Sequence, residues 1–224
     1  RERKAIRQRA QARKRAVLLV TLAAMLAVLL YFKYYNTILF NLGLADSTRS
    51  LGIVLPLGIS FYTFIALGYL IDRYNGKFAH EASFARYLAF VSYFPQLVQG
   101  PINQYASLGP QLFEVHHPSW DGMRKGLLRI ELGLVKKVVI ANMLAPKAPA
   151  ILDKLNPDMP GAVILWAMVF YSVQMYGDFS GGIDLVEGAS ELLGISMDPN
   201  FMQPYLSRSL SDFWRRWHMS LGAF

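Results

Sequence analysis

The 224-residue sequence contains no cysteine. Disulfide bonds, thiolate metal sites and a cysteine nucleophile are therefore excluded for these residues. Charge is also missing from two long stretches, Ala16–Phe32 and Leu51–Ile71. Each approaches the roughly 20 residues that a helix needs to cross a bilayer. Because a soluble core seldom needs two such stretches so close together, the sequence predicts an all-α polytopic membrane protein.

Positive charge is concentrated at the N-terminal end. The net charge is +8, and residues 1–15 hold eight arginines or lysines and one glutamate. Such an arm can bind nucleic acid. Here it stands directly before a charge-free apolar stretch, so the positive-inside rule favours a cytoplasmic arm beside the lipid bilayer and no nucleic-acid partner. We divide the chain into this arm, residues 1–15, and a membrane core, residues 16–224. We find no signal peptide and expect the chain to be part of a longer protein, with sequence missing at both ends.

Further segments follow the basic arm. The first span is predicted at Ala16–Tyr35 and the second at Leu51–Ile71, with Pro56 and Gly58 near the start of the second. The apolar stretch Phe84–Val98 runs into a Gly-Pro pair, which cannot continue a regular helix. Two interpretations stay open for it, a broken or re-entrant membrane element and a juxtamembrane loop.

Two more helices are predicted downstream. Residues Trp120–Leu144 have a helical pattern that Lys136 and Lys137 interrupt, which is typical of an interfacial helix or of a tilted span with a buried lysine pair. Residues Gly161–Tyr176 form a short charge-free helix. We expect a tight turn after it, at glycines 177, 181 and 182.

Acidic residues follow that turn. Spacings of three and four place Asp184, Glu187 and Glu191 on one helical face, shortly after Asp178. Three carboxylates on one face can bind a cation, although the sequence has no calcium-loop pattern. Alternatively they pair with a basic residue, and we expect that partner to be Arg208, Arg215, Arg216 or Lys136. The acids would then hold the next segment in place.

That next segment contains the letters WRRWH. We predict a helix over Leu206–Phe224 with Ser207 or Ser209 as its N-cap and Asp212 near its N-terminus. Phe213, Trp217 and Leu221 recur every four residues, and Trp214 and His218 form a neighbouring stripe. Arg215 and Arg216 point elsewhere and suit phosphate or carboxylate. His218 is either a hydrogen-bonded structural histidine or a base that takes a proton from a hydroxyl during acyl transfer.

Four blocks of the sequence carry a family resemblance. Residues 55–77 read LPLGISFYTFIALGYLIDRYNGK, residues 93–102 YFPQLVQGPI, residues 174–195 QMYGDFSGGIDLVEGASELLGI and residues 200–221 NFMQPYLSRSLSDFWRRWHMSL. In this order they resemble the membrane-bound O-acyltransferase (MBOAT) superfamily. The resemblance is to the branch that modifies alginate and teichoic acid, and it covers nearly all of the chain from about residue 16.

The resemblance implies a helical bundle with broken, re-entrant and interfacial helices around a tunnel. It implies transfer of an acyl group, here acetyl, from a cytoplasmic thioester to a hydroxyl of an exported polysaccharide or cell-envelope polymer. The donor would be acetyl-CoA or an acyl carrier protein thioester, with no bound cofactor and no metal. A periplasmic acyltransferase is a further possible partner, and the location implied is the inner, cytoplasmic membrane.

The resemblance also implies roles for individual residues. His218 falls on the histidine of the family's WRRWH-type motif and would be catalytic. The family carries a second histidine further along, so we expect it after Phe224 and expect residues 1–224 alone not to suffice for catalysis. Asp178, Asp184, Glu187 and Asp212 would support the site. Substrate or donor binding would fall to Arg215, Arg216, Trp214, Trp217, Gln99, Gly100, Pro101, Asn200 and Tyr205.

Two alternative functions stay open at this point. Broken helices and intramembrane acids also occur in ion-coupled transporters. A transporter predicts an internal repeat, and the sequence contains none. The other alternative is a non-catalytic membrane scaffold for a separate periplasmic transferase.

Overall fold

The computed structural model describes residues 2–43, 54–78, 83–117, 119–154 and 158–223. Within these ranges all regular secondary structure is helical, which confirms the all-α prediction. A π-helical segment covers Val135–Ala141 and a 3-10 turn covers Pro204–Leu206. The α-helices are α1 (Glu2–Asn41), α2 (Ile59–Tyr74), α3 (Phe84–Val91), α4 (Phe94–Gln99), α5 (Tyr105–Leu112), α6 (Trp120–Leu134), α7 (Asn142–Leu144), α8 (Lys147–Leu152), α9 (Gly161–Leu192), α10 (Leu210–Arg216) and α11 (Met219–Ala223).

The helices belong to two compact units. The first comprises Arg1–Val98 with Gln104–Pro110, and the second comprises Gln99–Asn103 with Gln111–Phe224. In the part of the chain that the structure describes, two helices are long and apolar enough to cross a membrane, α1 and α9. Their length and composition support a membrane location.

Helix α1 contains both the basic arm and the predicted first span. Its 40 residues extend over about 60 Å at the 1.5 Å rise of an α-helix. A bilayer's hydrocarbon core is only about 30 Å thick. The basic turns therefore continue the span beyond the hydrocarbon as a single helix, because nothing in the sequence breaks the helix between them.

The predicted second span is shorter than expected. Residues 51–53 lie outside the described residues, residues 54–58 are not helical, and α2 begins only at Ile59. The cause is Gly58, whose φ of 75° is left-handed and incompatible with a continuing α-helix. With 16 residues, α2 is not one of the two long apolar helices.

The stretch Phe84–Val98 is a broken helical element rather than a loop. Helix α3 has Ser83 as its N-cap, whose Oγ accepts the Arg86 N–H at 3.4 Å. Helix α3 ends before Ser92, and a second helix, α4, begins at Phe94. Pro95 lies in the first turn of α4, where its missing N–H removes no intrahelical hydrogen bond. The buried Gln96 Nε2 donates to the Phe90 carbonyl oxygen at 2.7 Å, so one carboxamide bridges the break.

Helix α9 corrects the prediction of a turn after Tyr176. It runs without interruption for 32 residues, through all the glycines expected to turn the chain. These glycines serve close packing instead. A Cβ built on Gly133 of α6 would lie 2.7 Å from the Gly181 carbonyl oxygen, and one on Gly126 would lie 2.8 Å from that of Gly188.

The two glycine pairs have the same spacing of seven residues on both helices. They let the backbones of α6 and α9 approach more closely than any side chain would allow, as in small-residue helix contacts of membrane proteins. Helix α9 is capped as predicted by Gly194, which has a φ of 77°. The Ile195 N–H then donates to the Ser190 carbonyl oxygen at 2.9 Å, the pattern of a Schellman cap.

Candidate functional site

The WRRWH segment is two short helices with a break at the histidine, not the single helix predicted over Leu206–Phe224. Ser209 is the N-cap of α10, and its Oγ accepts the Asp212 N–H at 3.1 Å. Helix α10 ends at Arg216, Trp217 is extended, and α11 begins at Met219. The predicted stripe of Phe213, Trp217 and Leu221 is therefore interrupted, since the helical register is lost at residue 218.

His218 lies in this break with a left-handed backbone, at φ 48°. A non-glycine residue with positive φ is uncommon, and such conformations concentrate at functional sites. The imidazole is half-buried with its centroid 4.8 Å from that of the Phe179 ring. Its Nε2 is buried and has no hydrogen-bond partner within the described residues. Burial also lowers the pKa of His218 below its ordinary value, which favours the neutral imidazole at neutral pH.

Asn200 holds the backbone immediately after the histidine. It is 1% exposed, its carbonyl oxygen accepts the Met219 N–H, and its Oδ1 accepts the Ser220 N–H, both at 2.9 Å. Because a backbone N–H must meet an acceptor, the second bond fixes which end of the carboxamide is oxygen. The Nδ2 end is buried and has no partner within the described residues. Asn200 thus holds the backbone next to His218 and presents a buried donor that no described residue uses.

Aromatic rings pack around the other side of the break. Trp217 stacks on Phe213 with centroids 5.5 Å apart and meets Phe201 edge to face at 5.1 Å. Phe201 in turn contacts Phe179 and Tyr176 of α9 at 5.1 and 5.7 Å. These contacts fix the indole against α9 and keep water from one side of the imidazole.

The residues of the WRRWH segment that were predicted to bind substrate or donor differ in exposure and in hydrogen bonding. Arg215 and Trp214 are exposed, with 74% of the Arg215 side chain accessible. Arg216 Nε donates to Asp212 Oδ1 at 3.0 Å, and Asp212 Oδ2 accepts the Arg208 N–H at 3.2 Å. The bond from Arg216, and to a smaller extent that from the Arg208 N–H, lowers the pKa of Asp212. Asp212 therefore braces α10 internally.

Tyr205 is likewise engaged in the fold. Its hydroxyl donates to the Ser172 carbonyl oxygen of α9 at 2.7 Å, and its ring lies 6.2 Å from Trp217. The contact ties the 3-10 turn to the long helix.

Asp178, Asp184 and Glu187 of α9 pair with α6 and with the π-helical segment, not with the WRRWH helix that the acids were expected to brace. Asp184 Oδ2 accepts from Lys136 Nζ at 2.6 Å, a pairing among those predicted. Arg129, which sequence reasoning missed, lies 2.6 Å from the buried Glu187 and 3.5 Å from Asp184. The cause is that Arg129 lies between Gly126 and Gly133, on the face of α6 that these glycines bring against α9.

A separate segment, Gln99–Asn103, lies along α9 in the same unit. Gln99 Oε1 accepts from Lys137 Nζ at 3.3 Å, and Lys137 Nζ also lies 2.6 Å from Asp178 Oδ1. The Gln99 carboxamide fills the space where Gly182 lacks a side chain. Gly100 and Pro101 are buried beside it.

The end of that segment reaches α11. The Ile102 N–H donates to Ser220 Oγ at 3.0 Å, two residues beyond His218. The structure therefore brings Gln99, Gly100, Pro101, Asn200 and Trp217 to the region of His218. The region also contains Phe179, Phe201 and Ser220. The sequence did not predict these three residues, because they have no regular spacing and come together only in the folded chain.

The fold is helical, and two of its helices are long enough to cross a membrane. With a half-buried histidine at the break between its last two helices, it defines a membrane protein with a candidate proton-transfer site. Residues 76–224 match the model of the MBOAT, membrane-bound O-acyltransferase family, and the chain belongs to that family.

Curated relatives of the chain include proteins that act on three polymers. The probable alginate O-acetylase AlgI of Pseudomonas putida is 37% identical over 214 residues, which is 92% of this chain and 43% of the relative. The peptidoglycan O-acetyltransferase of Helicobacter pylori is 33% identical over 240 residues, 94% of this chain and 45% of that protein. The teichoic acid D-alanyltransferase of Bacillus subtilis is 28% identical over 171 residues, which is 74% of this chain and 42% of that protein. The chain thus spans less than half the length of these relatives.

Proposed function

We propose that the protein is a multi-pass O-acyltransferase of the inner, cytoplasmic membrane. It moves an acyl group, acetyl, from a cytoplasmic thioester donor to a hydroxyl of an exported polysaccharide or cell-envelope polymer. Family membership supports the reaction class. The three relatives support the acceptor class, since their names describe acetyl or D-alanyl transfer to alginate, peptidoglycan and teichoic acid.

The observation that carries the proposal is the unpartnered, buried Nε2 of His218. A neutral imidazole in that position accepts the proton of the acceptor hydroxyl, whose oxygen then attacks the carbonyl carbon of the thioester. The C–S bond breaks, and the departing thiolate takes the proton back from the imidazole. The ester is formed, the free thiol leaves and His218 returns to its neutral state.

Asn200 suits the other half of this chemistry. Its buried Nδ2 has two N–H bonds and no partner within the described residues. A donor of this kind stabilises the negative charge that develops on a carbonyl oxygen during acyl transfer. In the proposal Asn200 therefore binds the donor's carbonyl group. Acetyl-CoA or an acyl carrier protein thioester would supply that carbonyl.

The ion-coupled transporter is disfavoured by the pairing of the acids. Asp178, Asp184 and Glu187 each lie 2.6 Å from a lysine or arginine nitrogen. A carboxylate neutralised in this way has a fixed structural partner and would have to lose it to carry an ion. The acids thus serve the packing of α6 and the π-helical segment against α9.

The test is His218→Asn in the full-length protein, with polymer O-acylation as the readout. Asparagine tolerates a left-handed backbone better than most residues, so the break should survive. Loss of the base should lower the rate by about 10² to 10⁴. Leu206→Ala, an exposed position in the 3-10 turn, is the matched control. Unchanged acylation at normal protein levels would contradict the role of His218 and favour the scaffold.

A further inference from the structure

The first unit contains a groove between α1 and α2 that takes no part in the proposed reaction. Two cavities of about 560 and 440 Å³ lie along it, and they share Lys14 and Tyr74 in their linings. The first also touches Arg7, and the second continues to Leu18 and Leu70. We call the two together the α1–α2 groove.

The groove changes character along its length. Arg7, Gln11, Lys14, Leu18 and Thr21 follow one another by three or four residues, so they share one face of α1. This face is basic and polar up to Lys14, and beyond it Val17 and Leu18 line the groove with apolar side chains. The groove therefore offers positive charge at one end and hydrocarbon contact at the other.

The positive charge that α1 contributes to the groove is not neutralised by the residues that the structure describes. Arg7, Arg13 and Lys14 form no ion pair with any residue in the described ranges. The change from basic to apolar falls on a membrane-length helix, where a basic flank meets a charge-free stretch. Such juxtamembrane basic clusters attract anionic lipid headgroups.

We propose that the α1–α2 groove binds an anionic glycerophospholipid. The headgroup phosphate lies between Arg7 and Lys14, and the acyl chains lie along Leu18 and Leu70. Charge complementarity selects an anion, and the apolar continuation selects one that carries hydrocarbon chains. A soluble anionic thioester would gain only the first of these contacts.

The experiment is native mass spectrometry of the purified full-length protein in nonionic detergent. Dioleoyl phosphatidylglycerol and dioleoyl phosphatidylcholine are added at equal concentration, and bound lipid is counted. We expect preferential binding of phosphatidylglycerol. Removing one basic residue near an anionic headgroup weakens binding about fivefold. Arg7→Gln with Lys14→Gln should therefore weaken it about 25-fold, and Lys14→Gln alone about fivefold if the double variant fails to fold.

The matched control is Arg9→Gln with Arg15→Gln, which removes the same charge from positions of α1 outside the groove lining. It should change phosphatidylglycerol binding by less than twofold. Equal losses in both double variants would overturn the proposal, because they indicate a diffuse charge effect. Equal binding of phosphatidylcholine would also overturn it. So would displacement by glycerol 3-phosphate at the lipid's own concentration, which indicates an anion site without hydrocarbon contact.

Discussion

At the scale of single residues, the backbone of His218 matters as much as its ring. The segment reads as a helix because Ser209 and Asp212 give it a regular start. The break at residue 218 was not predictable from those letters, since no glycine or proline marks it. It arises because Asn200, far away in the sequence, binds the two N–H groups that follow the histidine. The N-cap could be predicted and the reactive geometry could not.

The lowered pKa of His218 sets the expected pH dependence of activity. Because burial disfavours the imidazolium, the base form persists below the ordinary histidine pKa of about 6.5. In the full-length protein, kcat/KM should stay level near pH 7 and fall as the pH drops through a value below 6.5. Stability moves the same way: the contribution of the neutral ring is present above 6.5 and is lost as the pH falls towards the folded-state pKa.

A pH series of polymer O-acylation on wild type and His218→Asn checks this. The acidic fall in rate should be absent from the residual activity of the variant. A purely structural histidine would shift the thermal unfolding midpoint with pH but leave kcat/KM without this fall. An acidic limb centred above pH 6.5, or one retained in the variant, would show that another group titrates.

At the scale of elements, the glycines in and after α9 show why a sequence can predict where a helix ends but not which glycines lie inside it. Gly194 was predicted as a cap and is one, because no helical residue follows it. Gly177, Gly181 and Gly182 were predicted to turn the chain and instead continue a helix. Their purpose depends on α6 lying against them, which is a tertiary contact that no local pattern encodes. The same contact selected Arg129 and Lys136 as partners of the α9 acids.

We expect Gly133→Ala to destabilise the protein, because its Cβ would lie 2.7 Å from the Gly181 carbonyl oxygen and 3.0 Å from Leu185 Cγ. Overpacking of this kind typically costs about 1–3 kcal/mol. The control is Gly161→Ala, at the start of α9, where an added Cβ meets nothing within 4 Å. Thermal unfolding in detergent should show a lower midpoint for the first variant and no loss for the second. Equal midpoints would mean that α6 and α9 do not rely on backbone contact.

At the scale of the whole molecule, α1 and α2 form an antiparallel pair within the first unit. Near one end Lys33 Nζ donates to Ser60 Oγ at 3.3 Å, and near the other Arg7 and Tyr74 line the same cavity. The basic end of α1 therefore lies beside the C-terminal end of α2. The charges in the sequence agree with this arrangement, since Arg73 and Lys77 follow the second apolar stretch and the basic arm precedes the first. What charge did not reveal is the late start of α2, because it depends on the left-handed Gly58.

The antiparallel pair makes a definite prediction about orientation. Under the positive-inside rule residues 9 and 75 lie in the cytoplasm, and residue 42, at the far end of α1, lies on the opposite side. Because these 224 residues contain no cysteine, Arg9→Cys, Asn75→Cys and Leu42→Cys each introduce one reporter thiol into this part of the protein. In intact cells a membrane-impermeant maleimide should label position 42 alone. Permeabilised cells should show labelling at all three positions, with the unsubstituted protein as the background. Labelling of position 9 from outside would reverse the orientation, and different accessibility of positions 9 and 75 would contradict the antiparallel pair.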